Sequence, residues 1–296
     1  MNLVTNKRIS SSLFVVNCAV MKKAVYRHKG APMESLRNIF NKKFRQHYQP
    51  IVDMQTLDLI RYEALLRPLG FSNDTESLIR NMERAGEITE LDLWAIRSAI
   101  NNVAELDEKP TIAINVSASS ICDPLFHEEV DWLLRHKSSD TKIGFEITES
   151  QPISDMRLAH RFVEMAKKSG CSVGQDDFGT GHARFRVAEQ LELDYVKLSA
   201  RLTTMIESSQ QARSMIEKTA KLCDLFAMQV VAEHVDNPKQ YGWLRDVGVE
   251  HGQGWLFAKA SSSLDVNRNF RNELQQAITA ASSPAQVRAN VLAIGI

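Results

Sequence analysis

From about Phe44 onward, short runs of β-branched and apolar residues alternate with longer stretches whose apolar positions recur at helical spacing. The strand-like runs are His47–Met54, Leu59–Leu66, Thr111–Val116, Lys142–Thr148, Ser172–Asp177, Tyr195–Leu198, Gln229–Glu233 and Gly254–Phe257. The helical stretches are Glu76–Ala85, Glu90–Leu106, Leu125–Arg135, Met156–Ser169, Ala183–Leu191, Thr203–Phe226, Pro238–Val247 and Leu264–Ala281. Eight strands with eight helices predict an α/β fold, a closed (β/α)8 TIM-like barrel rather than an open doubly wound sheet. No Pro- or Gly-rich linker and no low-complexity segment interrupts the span, so residues 36–281 read as one barrel domain. Residues 1–35 read as a basic N-terminal extension with a disordered reading open, and residues 282–296 as a C-terminal tail.

Composition narrows the function classes. At 44% hydrophobic and 24% charged, the chain can bury a large core, and a formal net charge of zero gives no general signature of nucleic-acid binding. No apolar run approaches the roughly 20 residues of a membrane span. Leu13–Met21, behind Lys7 and Arg8, has the outline of a secretory signal, but Asn17 interrupts it, Lys22 and Lys23 follow, and no A-x-A-like site is present. Cys18, Cys122, Cys171 and Cys223 form no C-x-x-C pair and have no His partner at zinc-finger spacing, which argues against a disulfide framework and a structural zinc. A reducing cytoplasm is the expected location. Positive charge is concentrated in residues 1–47, where Glu34 stands alone against ten Lys and Arg. This segment is a solvated extension or a tether to a protein partner, an acidic one included, or to a membrane surface; nucleic-acid binding through it would show a steep salt dependence.

The chemistry is concentrated at the carboxyl ends of the strands, where a barrel of this kind carries its reactive groups. Those ends hold Glu63 in YEALLRP, Asn115 in AINVSAS, Glu146 in GFEITES, Asp176 and Asp177 in GQDDFGTG, Lys197 in YVKLS, Glu233 in VVAEHVD and Gln253 in HGQGWLF. Any one of them alone reads equally well as a strand-end side chain in a salt bridge, and Lys197 alone as a surface ammonium. Together they bring several carboxylates to one rim with a single lysine, a costly arrangement unless cations neutralise it. Carboxylate and amide oxygens without His or Cys favour Mg2+ or Mn2+ over zinc. Paired hard cations suit in-line displacement at a phosphodiester. The glycines of GTG serve a tight turn or a mobile loop beside a phosphate.

The segments EALLRP, NVS, EITE, DDFGTG, VK, AEHV and QGWLF occur in the order seen in EAL domains, and the resemblance covers roughly Gln49 to Ala260. It implies a TIM-like barrel of the EAL type that hydrolyses the bacterial second messenger cyclic di-GMP to linear pGpG. Some members of the family have lost catalysis and act as receptors or protein binders. By the same resemblance, Glu63, Asn115, Glu146 and Asp176 are ligands of one metal, and Asp176, Asp177 and Glu233 serve a second. Lys197, with Glu233 and Glu63, belongs to the catalytic group, the lysine holding or helping to deprotonate the attacking water. Gln253 supports the metals and substrate. Arg67 and Gln49 resemble the contacts to a substrate phosphate and a guanine edge, and Glu149 resembles the glutamate that steadies the DDFGTG loop. A homodimer is implied as well.

The chain departs from the family pattern at several positions. Lys197-Leu198-Ser199 stands where K-I-D is usual, and Ala232-Glu233-His234-Val235-Asp236 stands where A-E-G-V-E is usual. Trp255 replaces a usual tyrosine and Ala260 a usual proline. Loss of the carboxylate at Ser199 predicts weaker metal binding, by about tenfold or more, and slower turnover. A catalytically weak or silent module that binds cyclic di-GMP or a protein partner is therefore the alternative reading. His234 reads as a plain loop histidine or a new ligand.

Overall fold

The computed structural model describes residues 40–70, 75–148, 151–179, 185–264 and 270–281. Eight strands close into a barrel in chain order: β1 (Phe44–Asp53), β2 (Leu59–Pro68), β3 (Ile112–Ser117), β4 (Ile143–Thr148), β5 (Ser172–Phe178), β6 (Tyr195–Leu198), β7 (Gln229–Ala232) and β8 (His251–Gly252). From β2 through β8 the neighbours run parallel. The first strand is reversed: β1 pairs antiparallel with β8, with Val52 opposite Gly252. It reaches β2 through a tight turn in which Asp53 accepts hydrogen bonds from the amides of Gln55 and Thr56, and Leu57 takes a φ of +61°. No helix fits in so short a connection, and two helices, α1 (Thr75–Ala85) and α2 (Ile88–Ala104), instead follow β2.

The remaining helices are α3 (Pro124–His136), α4 (Met156–Lys168), α5 (Phe185–Gln190), α6 (Ala200–Thr204), α7 (Gln210–Leu225), α8 (Pro238–Asp246) and α9 (Phe270–Ala281). The stretch Thr203–Phe226, expected as one helix, is broken. Ser209 caps the amino end of α7 by accepting a hydrogen bond from the amide of Ala212. The last strand also lies earlier than Gly254–Phe257. A Cβ on Gly254 would stand 2.3 Å from both the nitrogen and the oxygen of Val235, so the chain turns there against the end of β7. The expected 1–35 and 282–296 segments, the basic residues before Phe40 and Cys18 lie outside the described residues.

Strand periodicity sorts the barrel interior into layers. Ile51, Tyr195 and Val231 form a small buried cluster of their own, distinct from the larger core between barrel and helices. Two residues further along are Lys197 on β6 and Glu233, the residue that follows β7. The apolar layer is therefore the floor on which the polar rim stands. Among the described residues no helix is long and apolar enough to cross a membrane.

Candidate functional site

Lys197, fully buried on β6, sits at the centre of the rim. Its Nζ lies 3.1 Å from Glu63 Oε2, 2.8 Å from Glu146 Oε2, 3.0 Å from Asp176 Oδ1 and 2.9 Å from Glu233 Oε1. The four carboxylates come from β2, β4, β5 and the residue following β7. Asn115 Nδ2 donates to Glu63 Oε1 at 2.7 Å, and Gln253 Nε2 donates to Glu63 Oε2 at 2.8 Å. Gln253 also reaches Gln49 Oε1 at 3.3 Å, while Gln49 Nε2 donates to the Ala258 carbonyl. Seven of the residues singled out in the sequence thus form one connected group about Lys197, and Lys197 proves to be its hub rather than a surface ammonium.

Asp177 and Arg67 sit towards the ends of β5 and β2. Asp177 follows Asp176 at a break in the β5–β6 register between Gln175 and Phe178, where its φ is +56°. Such a bulge re-aims side chains, and Asp177 is exposed there. Arg67, at the end of β2, is half-buried and donates to the Leu66 carbonyl. Glu149, with Thr180 and Gly181 of the glycine loop, lies outside the described residues.

Burial and crowding set the protonation of the group. Burial alone would lower the pKa of Lys197, but the carboxylates of Asp176, Glu146, Glu233 and Glu63 outweigh it and hold the ammonium well above its ordinary value. Burial pushes Glu146 up to about 7 and Glu233 up to about 8, against the pull of Lys197. For Glu63, burial is outweighed by Lys197, Gln253 and Asn115, and its carboxyl is lowered. Partial burial and the charge of Asp176 raise Asp177. Two carboxyls poised near neutrality beside a fixed ammonium give the rim a means of accepting and releasing protons.

Two buried side-chain oxygens here, Asn115 Oδ1 and Gln253 Oε1, have no hydrogen-bond partner, and Asp176 Oδ1 has only the Lys197 ammonium, 3.0 Å away. All are hard donors pointing into a rim with more carboxylates than cations, which is the chemistry that suits Mg2+ or Mn2+. Among the described residues no three His, Cys, Asp or Glu side chains form a ready-made metal cage, because Lys197 Nζ holds the centre on which they converge.

The sequence reading missed two residues just beneath the rim. Tyr195, two positions before Lys197, donates its hydroxyl hydrogen to Glu146 Oε1 at 3.0 Å. Arg61, two positions before Glu63, lies 4.1 Å from the centroid of the Tyr195 ring. The signal that finds them is the same period of two that finds Lys197 and Glu63.

Comparison with known proteins gives a consistent picture. Cyclic di-GMP phosphodiesterase PdeR of Escherichia coli K12 is 25% identical over 93% of this chain and 42% of its own length. Probable cyclic di-GMP phosphodiesterase PdeB of the same organism is 30% identical over 78% of this chain and 45% of its own length. This chain therefore spans less than half of either relative. The solved EAL domain of Xanthomonas citri FimX, in complex with cyclic di-GMP, superposes with a TM-score of 0.68 at 21% identity, over 84% of this chain and 99% of that one. That likeness bears on the fold. The EAL domain family model matches residues 33–260, a span that takes in all eight strands and every rim residue described above, and the chain belongs to the EAL domain family.

Proposed function

We propose that this chain is a phosphodiesterase that opens cyclic di-GMP to linear pGpG with two divalent cations, Mg2+ or Mn2+. The observation that carries the reading is the convergence of Glu63, Glu146, Asp176 and Glu233 on one ammonium. Family membership and relatives named as cyclic di-GMP phosphodiesterases support it. Carboxylates in such excess are held in a buried rim only by taking up protons or cations. The partnerless oxygens of Asn115 and Gln253 fit the second course.

In this reading Glu63, Asn115, Glu146 and Asp176 hold one cation, and Asp176, Asp177 and Glu233 hold the other. When bound, the pair supplies stabilisation of the charge that develops on the phosphoryl oxygens. Lys197, fixed as an ammonium, orients the attacking water by donating a hydrogen bond and does not take its proton. Glu233, raised by burial while it has only Lys197 for a partner, gives up its proton when it takes its place as a ligand of the second cation. Arg67 grips a phosphate through its planar fork, and Gln49, steadied by Gln253, reads a guanine edge. Glu149 steadies the DDFGTG loop. The protein works as a homodimer, which light scattering of the purified chain tests.

The test is turnover. Purified protein with cyclic di-GMP and Mn2+ is expected to yield pGpG, and Glu63→Ala to lose about 100-fold or more of that rate. Absence of linear product at every pH from neutral to alkaline rules the reading out. One observation favours a second reading, a module that binds cyclic di-GMP or a protein partner without cutting. Ser199 stands where a carboxylate is usual, buried and with no partner for its Oγ. Ligand binding with no metal-dependent turnover selects that alternative.

A further inference from the structure

We propose that Tyr195, braced from below by Arg61, is a positioning residue that fixes the carboxylate of Glu146 from inside the barrel. The proposal deepens the reading above and rests on it for the role of Glu146 as a metal ligand. The two oxygens of Glu146 are held from different sides. Lys197 Nζ donates to Oε2 at 2.8 Å, and the Tyr195 hydroxyl donates to Oε1 at 3.0 Å. A carboxylate pinned at both oxygens cannot swing about its last bond, so its lone pairs are presented to the rim in one orientation.

The tyrosine itself has little freedom. It is fully buried and packs with Ile51 and Val231 in the apolar floor. Its ring occupies space that only a glycine leaves open, since a Cβ on Gly174 would stand 2.3 to 2.5 Å from the ring atoms. On β2 the guanidinium of Arg61, itself buried, lies 4.1 Å from the ring centroid, and its Nη1 approaches Ser172 Oγ at 3.5 Å. A cation against the ring holds it in place and draws electron density from the phenol, which makes the hydroxyl a stronger donor.

A merely space-filling role does not account for the oxygen. Phenylalanine would fill the same volume beside Ile51 and Val231 without burying a hydroxyl. The hydroxyl is spent on Glu146, and partners of this kind behind metal ligands change metal affinity by about 10- to 100-fold when removed.

Tyr195→Phe keeps the ring and removes only the donor. In metal-free protein labelled with 13C-glutamate, the infrared difference between wild type and this variant is expected to show a shifted Glu146 band that is absent in a Glu146→Gln background. The dissociation constant for Mn2+, measured by calorimetry, is expected to rise about tenfold, with kcat reduced and KM for cyclic di-GMP unchanged. Arg61→Met, which keeps the hydroxyl but removes the brace, is expected to shift the same band by less and provides the test should Tyr195→Phe not fold. An unshifted band together with unchanged Mn2+ affinity overturns the proposal. A shifted band in a wild-type protein that binds no Mn2+ upholds the anchoring of Glu146 and overturns the metal-dependent reading instead.

Discussion

His234, immediately after Glu233, holds a φ of +51°, a backbone conformation that costs a side chain about 1 kcal/mol relative to glycine. The family pattern has glycine here, so the imidazole is carried at the expense of strain. His234→Gly is expected to stabilise the fold by about 1 kcal/mol, read as a rise in melting temperature. If turnover is unchanged, the imidazole is idle; a loss would make it part of the site. At this scale the rim was largely legible in the sequence, because strand-end positions in a barrel already select Glu63, Asn115, Glu146, Asp176, Glu233 and Gln253. Lys197 was legible only in that company. Tyr195 and Arg61 were not, because one step deeper a tyrosine reads as ordinary core and an arginine as surface, and only coordinates place one over the other.

Among the elements, α2 helps to order the rim from behind. Its buried Asp92 accepts hydrogen bonds from the Ser117 amide at 2.9 Å and the Ser117 hydroxyl at 2.8 Å, which ties down the end of β3 two residues beyond Asn115. Asp92→Ala leaves the Ser117 amide unpaired in a dry environment, while the hydroxyl keeps Ser120 Oγ at 2.8 Å, and is expected to cost about 2 kcal/mol in urea unfolding. Faster amide exchange at Ser117 would show that the loss is local to the strand end. The periodic pattern marked α2 as helix but could not show which of its polar residues faces inward. Nor could it place β8, since the apolar run after Gly254 looks like a strand, whereas the amides of Phe257 and Ala258 turn back to the Gly254 carbonyl. The reversal of β1 escaped for a related reason: hydrophobic pattern carries no direction.

At the scale of the whole molecule, the rim makes stability depend on pH. Glu146 and Glu233 titrate at about 7 and about 8 in the fold, against an ordinary value of 4.5. Between those limits the folded chain binds more protons than the unfolded one, so raising pH removes stability. His251, lowered from 6.5 to about 4, acts in the opposite sense until its unfolded imidazole has lost its proton a little above pH 7, and Asp92, raised to about 6, changes charge mainly below pH 6.5, so the two rim carboxyls outweigh them across the window above. Protein treated with a chelator is therefore expected to melt at progressively lower temperature from pH 6.5 to 8.5. Saturating Mn2+ is expected to flatten that slope, because cations then replace the departing protons. A flat profile without metal would show that the carboxyls are already ionised at pH 6.5.

Lys197 brings one positive charge to four carboxylates. Asn115 and Gln253 donate to Glu63, and Tyr195 donates to Glu146, so every acid group can find a hydrogen-bond donor, yet none of these neutral donors cancels a charge. The shortfall is one of charge and independent of packing, so the barrel mouth carries a standing appetite for positive charge that must be met from outside the chain.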